Sequence, residues 1–236
     1  MTDKRNQARA IEFKQVSFAY GNKTIIEQSD LAIEQGEVVG IVGLSGSGKT
    51  TMIRLINGAM IREGHHDYSG EIQVLGHDIR QVQHLNQWIG TIYQDTDNQL
   101  IFTTVIDEIV FGMENYQLTK DEMDQRLDRV TRVLGIQDLL YKNPNNLSGG
   151  EKQLVVLASI LCLEVKILML DECMSGVDQA TRQVILGLIT SLKKSHITVI
   201  MIEHDYDNLS IAESVYKIDK KKIVKVSHPK ECHGIY

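Results

Sequence analysis

The stretch VVGIVGLSGSGKT, residues 38–50, constrains the fold more strongly than any other part of the chain. A continuous apolar run ends at Gly43, a glycine-rich loop follows, and Lys49 opens a segment with the apolar spacing of an amphipathic helix. An uninterrupted β-branched run is typical of a strand that is buried on both faces, as in a parallel sheet. The order strand, loop and helix therefore predicts an α/β core.

The loop itself has the spacing G-x-x-x-x-G-K-T, which is met by Gly43, Gly48, Lys49 and Thr50. Glycines let backbone N–H groups approach phosphate oxygens closely, and the N-terminus of the following helix favours an anion. In this pattern the lysine reaches the β- and γ-phosphates, and the threonine hydroxyl binds Mg²⁺. We therefore predict a nucleotide-binding loop rather than a glycine-rich turn that contains a lysine by chance. The residues predicted to contact the nucleotide here are Gly43, Ser45, Gly46, Ser47, Gly48, Lys49, Thr50 and Thr51.

Two further apolar runs end in polar residues: KILMLDE ends at Asp171 and Glu172, and ITVIMIEH ends at His204. Ligands of open α/β sheets bind beyond the carboxyl ends of the strands, so we expect all three side chains beside the phosphate loop. We also expect the strand that ends at Asp171 to neighbour the strand before the loop. One acid can hold Mg²⁺ while the other polarises a water for attack on the γ-phosphate. For His204 we favour a γ-phosphate contact over a purely structural role.

Helical periodicity marks the segments between these runs. Residues 121–134 place apolar side chains on one face, behind a capping box formed by Thr119 and Glu122. Residues 178–192 show the same periodicity behind Asp178, which is predicted to be the N-cap.

The remaining segments complete the predicted architecture. Residues 11–18 alternate apolar and polar side chains, which predicts half-buried strands, and KIDKKKIVKV predicts a hairpin with Lys220 to Lys222 in its turn. No buried-strand pattern occurs between residues 95 and 160. We therefore predict one domain, with a core from residues 1–94 and 160–236 and a mostly helical lobe from residues 95–159.

Composition excludes several classes of protein. The formal net charge of −6 shows no basic footprint for nucleic acid. Three cysteines, Cys162, Cys173 and Cys232, argue against a disulfide framework and for a reducing compartment. The charged start, MTDKRNQARA, is not a signal peptide, and the longest apolar stretch is interrupted by Glu164 and Lys166. We therefore expect a chain that is soluble by itself and that can bind a membrane partner.

The short segment LSGGEKQ, residues 147–153, predicts a second helix start. Ser148 and Glu151 have the spacing of a capping box. The two glycines between them, Gly149 and Gly150, leave the helix N-terminus open to an anion. A second anion site in a chain that already has a phosphate loop indicates a site completed by another copy.

Taken in order, these elements resemble the ATP-binding subunit of ABC transporters over nearly the whole chain: Tyr20 in FAYG, the phosphate loop, Gln94, LSGGE, ILMLDE, SGVD and His204. The resemblance implies a P-loop ATPase core with a mostly parallel sheet, an N-terminal antiparallel β portion and an inserted helical lobe. It also implies that ATP and Mg²⁺ bind, and that Tyr20 stacks on adenine.

The same resemblance implies roles for the other site residues. Gln94 contacts Mg²⁺ and the attacking water and senses the membrane partner, Glu172 is the general base, and His204 holds the γ-phosphate. Asp171 is the expected carboxylate ligand of Mg²⁺. The LSGGE segment closes on ATP bound to the opposite subunit of a head-to-tail dimer, and Asp178 lies in the loop between the two ATP sites. The residues expected to contribute from that segment are Ser148, Gly149, Gly150 and Glu151.

The segment after Gln94 is similar to a narrower group, the ATPases of energy-coupling factor importers and of cobalt or nickel uptake systems. The positions that match are Gln94, Asp97, Gln99, Thr104, Val105, Ile109, Phe111 and Gly112. This resemblance implies a transmembrane subunit as partner, a second ATPase that is usually a different chain, and a vitamin or transition-metal ion as cargo. It also implies a peripheral location on the cytoplasmic face of the cell membrane.

Several residues depart from the pattern of that group. Thr96 and Cys173 stand where proline is common, Met174 where threonine is usual, and Leu154 where arginine is usual. None of these changes removes a catalytic group. The last stretch, HPKECHGIY, is shorter than the C-terminal dimerisation segment that many members carry, so the mode of pairing is left open.

Two other functions fit part of the pattern. A soluble ABC-type ATPase, such as one for iron–sulfur assembly, fits the length, but the segment after Gln94 argues against it. A nucleotide kinase fits the phosphate loop, but LSGGE and His204 argue against that function.

Overall fold

The computed structural model of the chain describes residues 8–65 and 68–226, so the start of MTDKRNQARA, HPKECHGIY and Cys232 lie outside the described residues. Its strands are β1 (Arg9–Tyr20), β2 (Lys23–Glu34), β3 (Val38–Val42), β4 (Tyr68–Val74), β5 (His77–Asp78), β6 (Ile89–Ile92), β7 (Ile167–Asp171), β8 (Thr198–Ile202), β9 (Ser214–Asp219) and β10 (Lys222–Val226). Its α-helices are α1 (Lys49–Ile56), α2 (Ala59–Arg62), α3 (Val105–Asn115), α4 (Lys120–Leu134), α5 (Gly149–Leu161) and α6 (Gln179–Lys194).

The central sheet has six strands in the order β10-β9-β3-β8-β7-β6. All its neighbours pair in parallel except β10 and β9. The strand before the phosphate loop is buried on both faces, because Val38 and Val42 lie in one core cluster while Val39 and Ile41 lie in the other. The predicted α/β core with a mostly parallel sheet is therefore confirmed.

The predicted neighbour of the phosphate-loop strand is wrong. β3 pairs with β8 and β9, whereas β7, the strand that ends at Asp171, pairs with β8 and β6. Crossover connections let a strand that comes later in the chain lie between two earlier ones, so chain order does not set strand order. The functional consequence survives, because β3, β7 and β8 are parallel and end at the same edge.

A second sheet, antiparallel and in the order β2-β1-β4-β5, forms the N-terminal portion. The alternation of buried residues along β1 changes phase between Phe13 and Val16. At this bulge Gln15 has φ 50°, and its backbone N–H donates to Asp30 Oδ1 at 2.8 Å. The half-buried strands predicted here are confirmed, and the bulge explains the break in their period.

The segment predicted to form the lobe contains α3, α4 and all but the last two residues of α5, and α4 begins with the predicted capping box of Thr119 and Glu122. The limits of the lobe and the core stay a prediction. Sequence reasoning missed β6, which is only four residues long and pairs with β7 at the edge of the central sheet. The C-terminal hairpin is present, but its turn is Lys220 and Lys221, because Lys222 already pairs with Asp219.

No helix within residues 8–65 and 68–226 is both long enough and apolar enough to cross a membrane.

Candidate functional site

Four segments that carry predicted site residues leave the central sheet at one edge. The phosphate loop follows β3, Glu172 follows β7, and His204 lies two residues beyond β8. Gln94 lies two residues beyond Ile92, the last residue of β6, which pairs with Leu170 just before Asp171. This arrangement follows from the parallel strands, whose carboxyl ends share one edge.

The phosphate loop follows a path that only glycine adopts without strain. Gly43, Gly46 and Gly48 have φ of 153°, 74° and 109°. A Cβ atom at Gly43 would lie 2.7 Å from Ser47 Oγ, and one at Gly48 would lie 2.6 Å from Ile25 Cγ2. Any larger side chain at these two positions would therefore displace the loop.

The N-terminus of α1 is free of the side chains that usually cap a helix. Its N-cap is Gly48, which has no side-chain hydrogen bond to offer, and its first turn contains no acid. The longer helices α3, α4, α5 and α6 are instead capped by side chains of Thr104, Thr119, Ser148 and Asp178. The buried hydroxyl of Ser47 also has no hydrogen-bond partner among the described residues. These features fit a phosphate group, which takes several backbone N–H donors at a helix N-terminus.

Lys49 brings a buried positive charge into this loop. Its side chain is 6% exposed, and its Nζ donates to Gly43 O at 2.9 Å and to Leu44 O at 3.2 Å. Burial lowers the pKa of Lys49, while the charges of Glu172 and Asp171 oppose that shift. The ammonium group therefore lies close enough to both acids to interact with them across the strand ends.

Asp171 and Thr50 form the polar pair expected to hold Mg²⁺. Asp171 is buried, and desolvation raises the pKa of its carboxyl group, although a hydrogen bond from the Thr50 side chain lowers it. A carboxylate and a hydroxyl in contact, beside a phosphate site, match the hard oxygen ligands that Mg²⁺ takes together with phosphates. The residues present thus fit the ion.

Glu172 and His204 contact each other directly. The distance from His204 Nε2 to Glu172 Oε1 is 2.7 Å, and the two side chains are 38% and 18% exposed, respectively. A carboxylate oxygen accepts hydrogen bonds, so this contact is a hydrogen bond in the tautomer of His204 that carries its hydrogen on Nε2. Glu172 has φ 54°, and its N–H donates to Ile202 O at 3.0 Å, which fixes the backbone between β7 and β8. A non-glycine residue in this conformation is strained by about 1 kcal/mol or more, as is common at functional sites.

A second group of predicted residues meets at the N-termini of α5 and α6. The capping box of Ser148 and Glu151 is confirmed, and so is the Asp178 cap, whose Oδ1 accepts from Thr181 N at 3.0 Å. A Cβ atom on Gly150 would lie 2.8 Å from Thr181 Oγ1 and 3.3 Å from Asp178 Oδ2. Gly149 faces open space within 4 Å. The two glycines thus differ, since only Gly149 leaves the surface open to an approaching anion.

Comparison with known proteins also indicates a nucleotide-binding protein, as the geometry of the phosphate loop does. The family model described as ABC transporter matches residues 26–175, which is more than half of the chain. The chain belongs to the ABC transporter ATPase family. It is therefore an ATP-binding and ATP-hydrolysing protein.

Individual relatives within this family are similar to the chain over most of its length. The energy-coupling factor transporter ATP-binding protein EcfA1 of Leuconostoc mesenteroides is 35% identical over 222 residues, which cover 92% of this chain and 80% of that protein. A putative ABC transporter ATP-binding protein of Pyrococcus horikoshii is 37% identical over 227 residues, covering 94% and 80%. Among solved structures, cbiO1 of Clostridium perfringens, described as part of the ABC transporter complex cbiONQ, has a TM-score of 0.84. It is 29% identical to this chain and covers 95% of it, and the match spans 90% of cbiO1.

Gly150 is packed against α6 whereas Gly149 faces open space, so we predict that alanine at these two positions of the ABC ATPase changes the free energy of unfolding by different amounts. We expect Gly150→Ala to lower the free energy of unfolding by about 1–3 kcal/mol, because the new methyl group displaces the buried Thr181 side chain and its hydrogen bonds to Asp178. Gly149→Ala is expected to change it by less than about 0.5 kcal/mol. Urea unfolding of both variants followed by circular dichroism is the measurement. Equal losses in the two variants would contradict the assigned packing.

Tyr20 lies at the end of β1, at the hairpin that leads to β2. Its hydroxyl donates to Met60 Sδ at 3.6 Å, and its ring meets Phe18 and His65 edge-on at centroid distances of 4.9 and 5.7 Å. It is partly exposed. Its stacking on adenine stays a prediction.

The four residues that depart from the family pattern are all buried. Leu154, Cys173 and Met174 are 7%, 2% and 1% exposed and lie in the same core cluster as Val38 and Val42. Burial raises the pKa of the Cys173 thiol, so this cysteine is an inert packing residue rather than a reactive one. Thr96 is buried too, at the start of the 3₁₀ helix Thr96–Gln99.

Sequence reasoning missed the contacts that hold the segment after Gln94. Gln99 accepts from Tyr93 N at 2.8 Å and donates to Thr91 O at 3.0 Å, so its amide ties the segment to β6. Lys152 in α5 pairs with Asp97 at 2.6 Å. The Q-x-x-D-x-Q spacing singled out Asp97 and Gln99 in the sequence. No local pattern, however, predicts that Lys152 pairs with Asp97. Sequence reasoning also missed Glu203, a buried acid. The signal that could have identified it is its position directly after the apolar run of β8.

Proposed function

We propose that this ABC ATPase powers an energy-coupling-factor-type importer of a vitamin or a transition-metal ion. In this proposal the chain lies on the cytoplasmic face of the cell membrane, bound to a transmembrane subunit and paired with a second ATPase. The observation that carries the proposal is the segment after Gln94, whose Gln99 and Asp97 link β6 to α5. The similarity to EcfA1 and to cbiO1 supports the same assignment.

Hydrolysis is assigned to the groups at the sheet edge. Lys49 and the N–H groups of the loop bind the β- and γ-phosphates, and His204 holds the γ-phosphate near Glu172. The Glu172 carboxylate accepts a proton from the water that attacks the γ-phosphate, which is general-base catalysis. Thr50, Asp171 and Gln94 would hold Mg²⁺, which would neutralise phosphate charge when it is bound with ATP.

Pairing with a second ATPase is assigned to the surface around Gly149. One subunit presents the N-terminus of α5, with Ser148 capping it, to ATP on the loop of its partner. Glu151 completes the capping box, since Ser148 N donates to its carboxylate at 2.7 Å, and this orients the helix end before ATP arrives. Asp178 lies beside Gly150 and so links this surface to the segment that follows Glu172.

The transmembrane subunit is expected to contact the segment between Gln94 and Thr104. Large apolar side chains are exposed in this segment and on the neighbouring helix α3: Ile101 is 69% exposed and Phe111 of α3 is 42% exposed, and the ring of Phe102 lies 4.9 Å from that of Phe111. Glu108 holds the segment to α3, because its Oε2 accepts from the N–H groups of Ile101 and Phe102 at 2.8 and 2.9 Å. A firmly held apolar surface of this kind is suited to a helix of a partner protein.

Motion of this surface can reach the ATP site through α5. Asp97 contacts Lys152 in the first turn of that helix, whose N-terminus carries Ser148 and Gly149. A shift of the segment therefore moves the helix end that is proposed to close on ATP. In this scheme closure permits hydrolysis, and loss of the γ-phosphate lets the dimer open.

Co-purification tests the proposal. The tagged protein, isolated from detergent-solubilised membranes of its source cell, is expected to bring a transmembrane subunit and a second, different ATPase, identified by mass. We expect Ile101→Asp to lose the transmembrane subunit while it keeps ATP binding, because it places a charge in the apolar contact.

A matched control is Val224→Asp, which puts the same charge at an apolar position of β10 that is 51% exposed. It is expected to retain the transmembrane subunit. Recovery of the protein from the soluble fraction alone, with no membrane protein attached, would contradict the importer and favour a soluble ABC-type ATPase.

A further inference from the structure

Glu203 lies at the end of β8, immediately before His204, and is 3% exposed. Its Oε2 accepts a hydrogen bond from Asn208 Nδ2 at 3.2 Å, and Asn208 is itself 1% exposed. This hydrogen bond joins the two ends of the turn that follows β8. Glu203 lies at the start of the turn, and the 3₁₀ helix Asn208–Ile211 lies at the end of the turn. His204 lies inside that turn.

Two buried oxygens of this pair have no hydrogen bond of normal geometry. Glu203 Oε1 and Asn208 Oδ1 are both inaccessible and have no such bond among the residues that the structure describes, although the Met174 N–H lies near enough to the Glu203 carboxyl group to lower its pKa. Both are acceptors if the glutamate is ionised, and two buried acceptors without donors are costly. A neutral carboxylic acid resolves the conflict, because its O–H can donate to Asn208 Oδ1 while its other oxygen accepts from Asn208 Nδ2.

We propose that Glu203 is a positioning residue for the hydrolytic centre, held as a neutral acid that forms a two-bond pair with the Asn208 amide. The pair closes the turn that carries His204 and so keeps the imidazole against Glu172. Ionisation releases the proton to solvent, leaves a carboxylate oxygen facing the amide oxygen, and opens the pair. This inference rests on the roles proposed above for Glu172 and His204.

The surroundings of Glu203 favour the neutral form. Burial raises the pKa of Glu203 to about 7, although the Asn208 amide and the Met174 N–H lower it, and the charges of Asp205 and Glu172 raise it further. The cation of α6 that contacts this turn, Arg182, pairs with Asp205 at 3.2 Å. Cys173 also faces this acid, and its own pKa is raised, so it contributes no charge.

Proton linkage tests the state of the acid without any nucleotide. The folded chain holds a proton on Glu203 up to about pH 7, whereas the unfolded chain releases it near pH 4.5. The folded state is therefore favoured fully below pH 4.5, and this stability is lost as the pH rises through 7. Relative to Glu203→Gln, the unfolding constant of the wild type is expected to rise up to about tenfold per pH unit across that window.

The matched control is Asp207→Asn, which makes the same change of charge on an exposed side chain of the same turn. Its stability is expected to follow the wild-type pH dependence. If Glu203→Gln also follows the wild type, Glu203 is ionised throughout and the proposal is overturned. Infrared spectra give a second reading, since a protonated-carboxyl band at pH 6 should vanish in Glu203→Gln.

ATPase kinetics test the positioning role. Glu203→Ala is expected to lower kcat by about 10-fold or more with little change in KM for ATP, because the phosphate loop is untouched. Glu203→Gln, whose amide can make both bonds to Asn208, is expected to restore kcat and to keep it as the pH rises from 7 to 8, where the wild type declines. Equal kcat and equal pH profiles in all three proteins would overturn the role.

Failure of the underlying assignment is distinguishable from failure of this inference. If Glu172→Gln hydrolyses ATP normally, the assigned hydrolytic centre is wrong, and the positioning role of Glu203 is overturned with it. The proton linkage of unfolding is measured without ATP and does not depend on that result.

Discussion

Replacing Glu172 with glutamine is expected to leave ATP binding intact and to lower turnover about 10²- to 10⁴-fold. Glutamine has the same shape and keeps the strained backbone at φ 54°, but its amide cannot accept a proton from water. The phosphate loop, including Lys49, is unchanged. Binding of ATP measured by calorimetry and single-turnover hydrolysis separate the two effects.

Glu164→Gln is the matched control for this variant. Glu164 has φ 55°, nearly the backbone conformation of Glu172, but its carboxylate pairs with Arg126 and Arg129 near the end of α5. The same substitution is thus made on the same kind of backbone away from the strand ends, and turnover is expected to stay at the wild-type level. Normal turnover in Glu172→Gln would exclude Glu172 as the base.

Replacing Lys49 with alanine is expected to weaken ATP binding roughly 10- to 100-fold, as the loss of a charge-assisted hydrogen bond to phosphate does. The free energy of unfolding should not fall. Burial lowers the pKa of Lys49, which means that the folded state disfavours its charge overall. Calorimetric titration with ATP and urea unfolding give the two quantities.

Lys166→Ala is the control for the loss of a lysine. Lys166 is exposed and precedes β7 at the opposite edge of the sheet from the phosphate loop. Its removal is expected to leave the affinity for ATP unchanged. A Lys49→Ala protein with wild-type affinity would contradict the placement of Lys49 on the phosphates.

Much of the site was predictable because its signals are local. The phosphate loop needs glycines at positions where the backbone has a positive φ, so the spacing of Gly43 and Gly48 identifies the loop in the sequence. The caps of α4 and α5 use side chains three residues apart, and spacing alone identifies them. Strands buried on both faces must be continuous apolar runs, which is why β3, β7 and β8 were found.

The tertiary structure decided the contacts between distant segments. The pairing of β8 with both β3 and β7 depends on crossover connections. No residue pattern within these three strands predicts which of them will be neighbours. Lys152 meets Asp97 only because α5 packs beside the segment after Gln94, and Gly150 is needed because α6 begins next to it.

The sequence by itself therefore determined the fold class, the phosphate loop and the residue types of the proposed hydrolytic centre, since each depends on neighbouring residues in the chain. Strand order, the second use of Gly150 and the Glu203–Asn208 pair were decided by packing. Burial and pairing between distant segments are properties of the folded chain, and they determine which polar groups meet and which of them stay neutral.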